Sequence, residues 1–288
     1  MIDRLNAFMV LARERHFGRA AEALGITQPS LSSSLKALED QLGVQLVRRG
    51  SRYGGLTPEG DRVLDWARRI VGDARAMQDE MRAMRSGISG RLRIGVIPTA
   101  MPRIAELTAP YMERHPAMGV TILSRSSDEI RDQITALELD AGVTYLDNEP
   151  LGKVQQLPLY RETYCLIDRT DRTDPVGWAE AATRPLCLLT PDMQNRRIVA
   201  RHLAEAGAAD SPRVESTSML AILSHVATGG WAAILPQAVA DGVPLPNGVG
   251  RRPLAGAEGH MVGLVVPARE PHPPAVAALL DIAHRIDR

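Results

Sequence analysis

At 288 residues the chain is too long for one small core and predicts two or three compact units. Hydrophobic residues make up 44% and charged residues 24%, which excludes a disordered polymer. No apolar run approaches the roughly 20 residues that cross a bilayer. Formal net charge is zero, but residues 1–90 carry 14 Lys+Arg against 11 Asp+Glu, while the remainder carries 20 against 23. The N-terminal third is therefore the cationic part. The start lacks a basic-then-apolar leader pattern, because Asp3, Arg4 and Asn6 interrupt it, so a cytoplasmic protein is expected. Cys165 and Cys187 lie in apolar stretches without metal-ligand spacing and read as core thiols. No metal and no cofactor is expected.

Leu5, Phe8, Met9, Leu11 and Ala12 mark the apolar face of a first helix, with Asp3 placed to cap it. A short second helix covers about 18–24, and Gly25-Ile26 makes a turn in which glycine accepts the left-handed conformation. Thr27 caps a third helix, with Pro29 in its first turn, where a missing N–H costs nothing. Leu31, Leu35, Leu38 and Leu42 fall on its inner face and Gly43 ends it. Its outer face presents Gln28, Pro29, Ser30, Ser32, Ser33, Ser34 and Lys36. Two short strands around the Arg48-Arg49-Gly50-Ser51-Arg52 loop complete a wing, whose Arg48, Arg49 and Arg52 can meet phosphates or enter a minor groove. Helix, tight turn and helix with a polar outer face is the geometry that reads a DNA major groove. A generic helical bundle with a solvated basic loop fits the same pattern.

The segment FGRAAEALGITQPSLS at 17–32 resembles the N-terminal signature of LysR-type regulators, as do LEDQLGVQLVRR at 38–49 and LTPEG at 56–60. The order and spacing match over about sixty residues. The resemblance implies a winged helix-turn-helix that binds double-stranded DNA, a dimerising linker helix, and a periplasmic-binding-protein-like effector domain. The chain departs from the usual pattern at Ser33, where the family has arginine, at Val47, where it has phenylalanine, and at His16, where it has serine. The arginine contact does not carry over to Ser33, which shifts weight to Lys36 and the wing. His16 reads as a helix-end residue near DNA or a plain surface histidine.

Residues 58–85 predict one long helix, about 40 Å at ~1.5 Å per residue, capped by Thr57 with Pro58 first. Val63, Ile70, Met77 and Met84 recur every seven residues, and Ala67, Ala74 and Met81 follow four behind. This 4-3 alternation is a coiled-coil seam. A helix packed on its own domain is the competing reading. Pairing gives a homodimer through 58–85, and the resemblance extends this to a homotetramer. Two recognition helices imply a partly palindromic promoter site.

From Arg91 onward strands and helices alternate, which predicts a mostly parallel sheet with covering helices. Strands are expected at 91–96, 120–124, 141–144, 186–189, 214–216 and 229–236, and 163–168 is expected to cross into a second subdomain. The stretch 261–267 returns to the first subdomain, and 273–288 makes a closing helix. In open α/β sheets ligands bind beyond the carboxyl ends of strands, where helix N-termini offer free N–H groups. Thr99, Ser126, Ser127, Thr144, Gln194, Asn195, Ser216 and Thr217 fall at such ends and are the candidate effector-binding residues. Hydroxyls and amides with few fixed charges suit a small anion or carboxylate, although each Ser or Thr also fits as a simple helix cap. The stretch LTPDMQNRR at 189–197 resembles regulators associated with formate dehydrogenase operons, which implies formate as effector.

The expected architecture is an α+β multidomain chain. Residues 1–57 form the winged helix-turn-helix, 58–85 the linker helix and 86–90 a hinge. Residues 91–288 form a two-lobed α/β effector domain, with lobe I at about 91–161 and 266–288 and lobe II at about 162–265. The function expected is transcription regulation through a small-molecule effector held between the lobes. An architectural DNA protein without an effector is the main alternative. A solute-binding protein is opposed by the helix-turn-helix and the lack of an export pattern. An enzyme is the remotest reading, since the chain holds no G-x-S-x-G elbow, phosphate loop, dinucleotide fingerprint or paired metal histidines.

Overall fold

The computed structural model describes residues 1–48, 53–209, 211–256 and 259–286. They form two compact units, one built on Met1–Gly87 and the other on most of the chain beyond it.

The first unit opens with α1 (Ile2–Glu14), α2 (Phe17–Leu24) and α3 (Gln28–Leu42). Leu5, Phe8 and Leu11 of α1 close on Ala20 and Ala21 of α2 and on Leu31, Leu35 and Leu38 of α3. Met1, not Asp3, is the N-cap of α1; Asp3 sits in the first turn, where its charge complements the helix dipole. His16 caps α2, its Nδ1 accepting from the Arg19 N–H at 3.2 Å. Gly25 takes φ 65° in the turn, and Thr27 caps α3 by accepting from the Ser30 N–H. Leu42, expected on the inner face, is exposed, because α3 ends at Gly43 before it can reach the core.

The two wing strands reduce, among the described residues, to one antiparallel bridge between Val47 and Leu56. Arg49 and Arg52 lie outside the described residues. The Glu39 carboxylate of α3 accepts from the N–H groups of Leu46 at 2.8 Å and Val47 at 3.3 Å, which ties the bridge to α3. Helix α4 (Pro58–Ser86) starts on the far side, where Thr57 Oγ1 accepts from the Gly60 N–H at 2.9 Å and donates to the Gln45 carbonyl. Gly60 is buried against the Leu46 backbone, leaving no room for a Cβ.

The second unit begins at β1 (Gly90–Val96), so the expected hinge shortens to 87–89. Then follow α5 (Ile104–Arg114), β2 (Met118–Ser124), α6 (Ser127–Thr135), β3 (Ala141–Tyr145) and β4 (Val154–Glu162). The chain crosses into β5 (Tyr164–Asp168), α7 (Trp178–Ala182), β6 (Leu186–Leu189), α8 (Gln194–Glu205), β7 (Val214–Ser216), α9 (Met219–Ala227), β8 (Ala232–Pro236), α10 (Gln237–Gly242) and β9 (Gly250–Pro253). It returns through β10 (His260–Pro267) and ends in α11 (Pro274–Ile286).

Two five-stranded sheets result, ordered β2-β1-β3-β10-β4 and β7-β6-β8-β5-β9. In each, the first three strands run parallel and the crossing strand, β10 or β5, joins antiparallel. Lobe I therefore resumes at His260, close to the returning stretch expected at 261–267 and earlier than the lobe boundary of about 266. Strand β10 is buried at nearly every position, so no period-two alternation marks where it starts. Strands β4 and β9, with helices α7 and α10, carried no clear sequence signal.

Replacing Gly60 with alanine forces the start of α4 off the Leu46 backbone. We expect a loss on the order of 1–3 kcal/mol in urea unfolding of the full chain. An unchanged unfolding midpoint would show that the helix start is not pinned there.

Candidate DNA-binding face and effector cleft

The cap at Thr27 and the left-handed turn at Gly25 fix the direction in which α3 leaves α2. With Leu31, Leu35 and Leu38 buried, the opposite face is left to solvent. Gln28, Pro29, Ser30, Ser32, Ser33 and Lys36 are all exposed along it, and so is Arg48. Thr27 and Ser30 share a hydroxyl contact at 2.9 Å, which orders the first turn.

Along α4 the expected seam splits. Ala67 is fully buried and Val63 half-buried in the core of the first unit, together with Val71. Ile70, Met77, Met81 and Met84 stay exposed, Met84 at 72%. The N-terminal part of the heptad pattern is thus spent on the helix's own domain, and the free apolar stripe begins at Ile70.

In the second unit the lobes enclose a cleft of about 780 Å³. Pro98, Met101, Pro102, Ser124, Arg125 and Glu129 line it from lobe I; Met193, Thr217, Met219, Leu220, Leu223, Val239 and Val243 are among its walls from lobe II. Of the eight candidate effector residues only Thr217 reaches this cleft. Ser126 and Glu129 form a capping box, each side chain accepting from the other's backbone N–H, at 3.2 and 2.8 Å. Ser216 accepts from the Ser218 N–H, and Ser218 caps α9. For Ser126 the simple capping reading is what the structure has.

The other candidates turn inward. The Thr144 hydroxyl donates to Ser127 at 2.9 Å, and Gln194 Nε2 donates to the Asp147 carbonyl at 3.0 Å. Thr99 Oγ1 lies 3.3 Å from the Tyr145 hydroxyl, to which Asn195 Nδ2 donates at 3.2 Å. Tyr145 in turn donates to Glu162 in a very short bond. Thr99, Tyr145 and Glu162 belong to lobe I and Asn195 to lobe II, so the chain of bonds spans the lobes. Sequence reasoning missed Tyr145 and Glu162, since neither ends a strand next to a helix N-terminus.

Glu162 is 1% exposed, and burial pushes its carboxyl up to about 8, with Asp147 adding to the rise and the Tyr145 bond opposing it. His260, its cross-strand partner, is held by burial below the usual imidazole value. Cys165 and Cys187 lie on the face of the second sheet away from the main core, and burial raises both thiols, Cys165 to about 12. No group of three metal-ligating side chains occurs among the described residues, and no helix of the described residues is long and apolar enough to cross a membrane.

A three-helix reader with an attached bridge, a long helix and a two-lobed α/β unit together define a DNA-binding regulator with a separate sensing domain. Residues 2–61 match the bacterial regulatory helix-turn-helix protein, lysR family, and residues 85–286 match the LysR substrate binding domain. A probable hydrogen peroxide-inducible genes activator of Streptomyces viridosporus is 31% identical over 81% of this chain and 76% of that protein. The DNA-binding transcriptional dual regulator OxyR of Escherichia coli (strain K12) is 28% identical over 82% of this chain and 78% of its own. A full-length OxyR variant from Pseudomonas aeruginosa superposes with a TM-score of 0.77 at 27% identity, covering 99% of this chain and 94% of that one. CbnR complexed with its target DNA shares the fold, with a TM-score of 0.63, 21% identity and 99% coverage of both chains. The chain belongs to the LysR family of DNA-binding transcription regulators and carries that family's effector-binding domain. Its relatives are regulators and not enzymes.

Glu162 sets a pH dependence with a defined sign. Its folded-state value lies above the ordinary carboxyl value, so its contribution is fully present below about pH 4.5 and is lost as pH rises through 8. Denaturant titrations of the wild type should show stability falling across this window relative to Glu162→Gln, by on the order of a few kcal/mol. Parallel curves for the two chains would mean that Glu162 titrates normally.

Proposed function

We propose that the exposed face of α3 reads the major groove through Gln28, Pro29, Ser30, Ser32, Ser33 and Lys36, while Arg48 and the neighbouring Arg49 and Arg52 meet phosphate. In this reading residues 1–57 bind DNA, the long helix assembles the protein, and the unit from Gly90 onward senses an effector. The observation that carries it is that all of the six named α3 residues and Arg48 are exposed, while the leucines between them form the core. The stripe from Ile70 to Met84 pairs with a second copy, giving a homodimer and by further pairing a homotetramer. A two-fold assembly of this kind meets a partly palindromic promoter site in the cytoplasm.

The effector enters the cleft between the lobes. A site of 780 Å³ belongs to the class that takes drug-sized molecules. Its methionines, leucines and valines favour an organic body with apolar surface, and flexible Met101, Met193 and Met219 adapt to its shape. Formate, a one-carbon anion, leaves most of that volume unfilled. Arg125 is matched at the rim by Glu129 and Asp192, which gives an anion no net electrostatic advantage. Thr217 supplies a hydroxyl at the edge; behind it Gln194 and Asn195 bond across to lobe I, while Thr99, Ser127 and Thr144 bond within lobe I and Ser126 belongs to a capping box. Ser216 supports the α9 cap.

The names of the relatives raise hydrogen peroxide as an input. Peroxide oxidises an accessible thiolate. The chain has two cysteines, both buried with raised values, so a thiol sensor is not favoured here. Treatment with peroxide should leave both thiols reduced by mass spectrometry and DNA affinity unchanged; a native-state disulfide or sulfenic acid at either would reverse this conclusion.

Lys36→Ala and Arg48→Ala are expected to weaken binding to promoter DNA, and Arg48→Ala to reduce the slope of log affinity against log salt by about one. An unchanged slope removes Arg48 from the phosphate contacts. Met77→Glu should shift the chain to monomer in light scattering, and a stable dimer from that variant would move the interface elsewhere. For the cleft, 2-naphthol and sodium formate serve as apolar and one-carbon probes in calorimetry. Binding of naphthol that Leu220→Glu abolishes, with no formate response, supports the reading; the opposite pattern overturns it.

A further inference from the structure

The chain passes between the lobes twice, from β4 into β5 and from β9 into β10. Glu162, the last residue of β4, pairs in register with His260, the first residue of β10. Both passages therefore meet at a single residue pair. The Glu162 side chain, buried there, accepts from the Tyr145 hydroxyl, and Asn195 of the opposite lobe donates to that same hydroxyl. One carboxyl group is thus the lobe I end of a hydrogen-bonded tie between the lobes, placed at the point about which they would have to turn.

We propose that Glu162 is a proton-operated latch: as the neutral acid it keeps the lobes tied as they are seen here, and loss of its proton releases them. The proposal concerns regulation and rests on the reading of the inter-lobe cleft as the effector site.

The surroundings explain why the charge matters. Tyr145 on β3, Tyr160 on β4 and Tyr164 on β5 are neutral neighbours whose own ionisation is opposed by burial and by the Glu162 charge. Asp147, just past β3, is a like charge and contributes to raising Glu162. His260 on β10 is held by Asn148 and Asp147 instead, and the His202 ring of α8 lies 6.0 Å from it. A polar cavity of about 380 Å³ beside Glu162 is also lined by Arg103, Glu106, Arg161 and Asp241. There Arg103 is committed to Glu106, Asp241 to Arg251, and Arg161 donates to the Gly259 carbonyl. No cation pairs with Glu162 among the described residues, and its Oε2 has no hydrogen-bond partner there. An ionised Glu162 is then a buried charge with no cation to pair it, and the one Tyr145 hydroxyl offsets only part of the cost of its burial. Parting of the lobes relieves it by admitting water, and the adjacent polar cavity gives the proton a way out.

Burial places the titration near pH 8, within the range a cell interior can approach. Effectors that bridge the lobes would bind more weakly to the released form, so effector and proton act on one equilibrium.

The test is hydrogen exchange of the full-length chain between pH 6.5 and 9.5, corrected for intrinsic rates, in wild type and Glu162→Gln. Protection in peptides spanning 160–166 and 194–198 should fall at least tenfold in the wild type, with a midpoint near 8, and stay level in the variant. Equal pH dependence in both chains, or none in the wild type, overturns the proposal. Should the variant fail to fold, the carboxyl carbon resonance of Glu162 in the wild type decides: a midpoint near 8 that coincides with the fall in protection at 160–166 and 194–198 sustains the latch, and a midpoint near 4.5 or one without that fall sinks it. If naphthol binds the cleft with the same affinity across this pH range in both chains, the latch fails while the effector reading stands. If no cleft ligand binds but the exchange profile titrates, the effector reading fails and the proton-linked motion remains.

Discussion

The architecture of the sensing unit depends on two crossings of the chain between its lobes. Each sheet is built from three parallel strands of its own lobe and is then joined, antiparallel, by a strand the chain reaches only after crossing from the other lobe. Lobe II is built entirely between the two crossings, whereas lobe I is complete only when the chain returns as β10. The crossings sit side by side, so the lobes can turn about them without unpicking either sheet. Polar groups that would be costly in a core are gathered at that place into a connected set of hydrogen bonds, one of which crosses from lobe II. Glu162, Tyr145 and Asn195 are the clearest instance.

In the DNA-binding unit the comparable constraint is the junction around Leu46. Its N–H is taken by Glu39 of the recognition helix, its carbonyl accepts from the Thr57 N–H, and Gly60 of the long helix packs on its backbone. The wing, the reader and the long helix are thereby fixed to one stretch of main chain. A regulator needs this rigidity, since an assembly that moves its long helices can reposition its readers only if the two are firmly joined. Burial of Ala67 and Val71 in the same core extends that join along the first turns of α4.

Much of this was legible in the residues. Leucine spacing, the Thr27 and Thr57 caps and the left-handed glycines at 25 and 43 are local signals, and the helices began and ended close to where these placed them. The parallel strands with β-branched and leucine runs were legible for the same reason. Strand β4 was not, because its mixed sequence is shaped by pairing with β10, some hundred residues away. Of the eight candidate effector residues only Thr217 lines the cleft, and seven of the fifteen residues that do line it are methionine, leucine or valine, which by themselves look like core. Whether an apolar side chain faces a core or a cleft is decided by what stands opposite it.

By itself, then, the sequence determined the helix-turn-helix, the caps, the heptad stripe and the family, because each rests on residues close together in the chain. Only the tertiary structure decided that the N-terminal part of the stripe is used internally, that the candidate hydroxyls mostly bond within their own lobe while the Gln194 and Asn195 amides bridge the lobes, and that the cleft is largely apolar. It also decided the character of Glu162, an ordinary glutamate in a strand until burial at the meeting of two crossings and the nearby Asp147 raise the energy of its charge, against the stabilising bond from the Tyr145 hydroxyl. Those are properties of surroundings assembled from distant segments, and no local pattern encodes them.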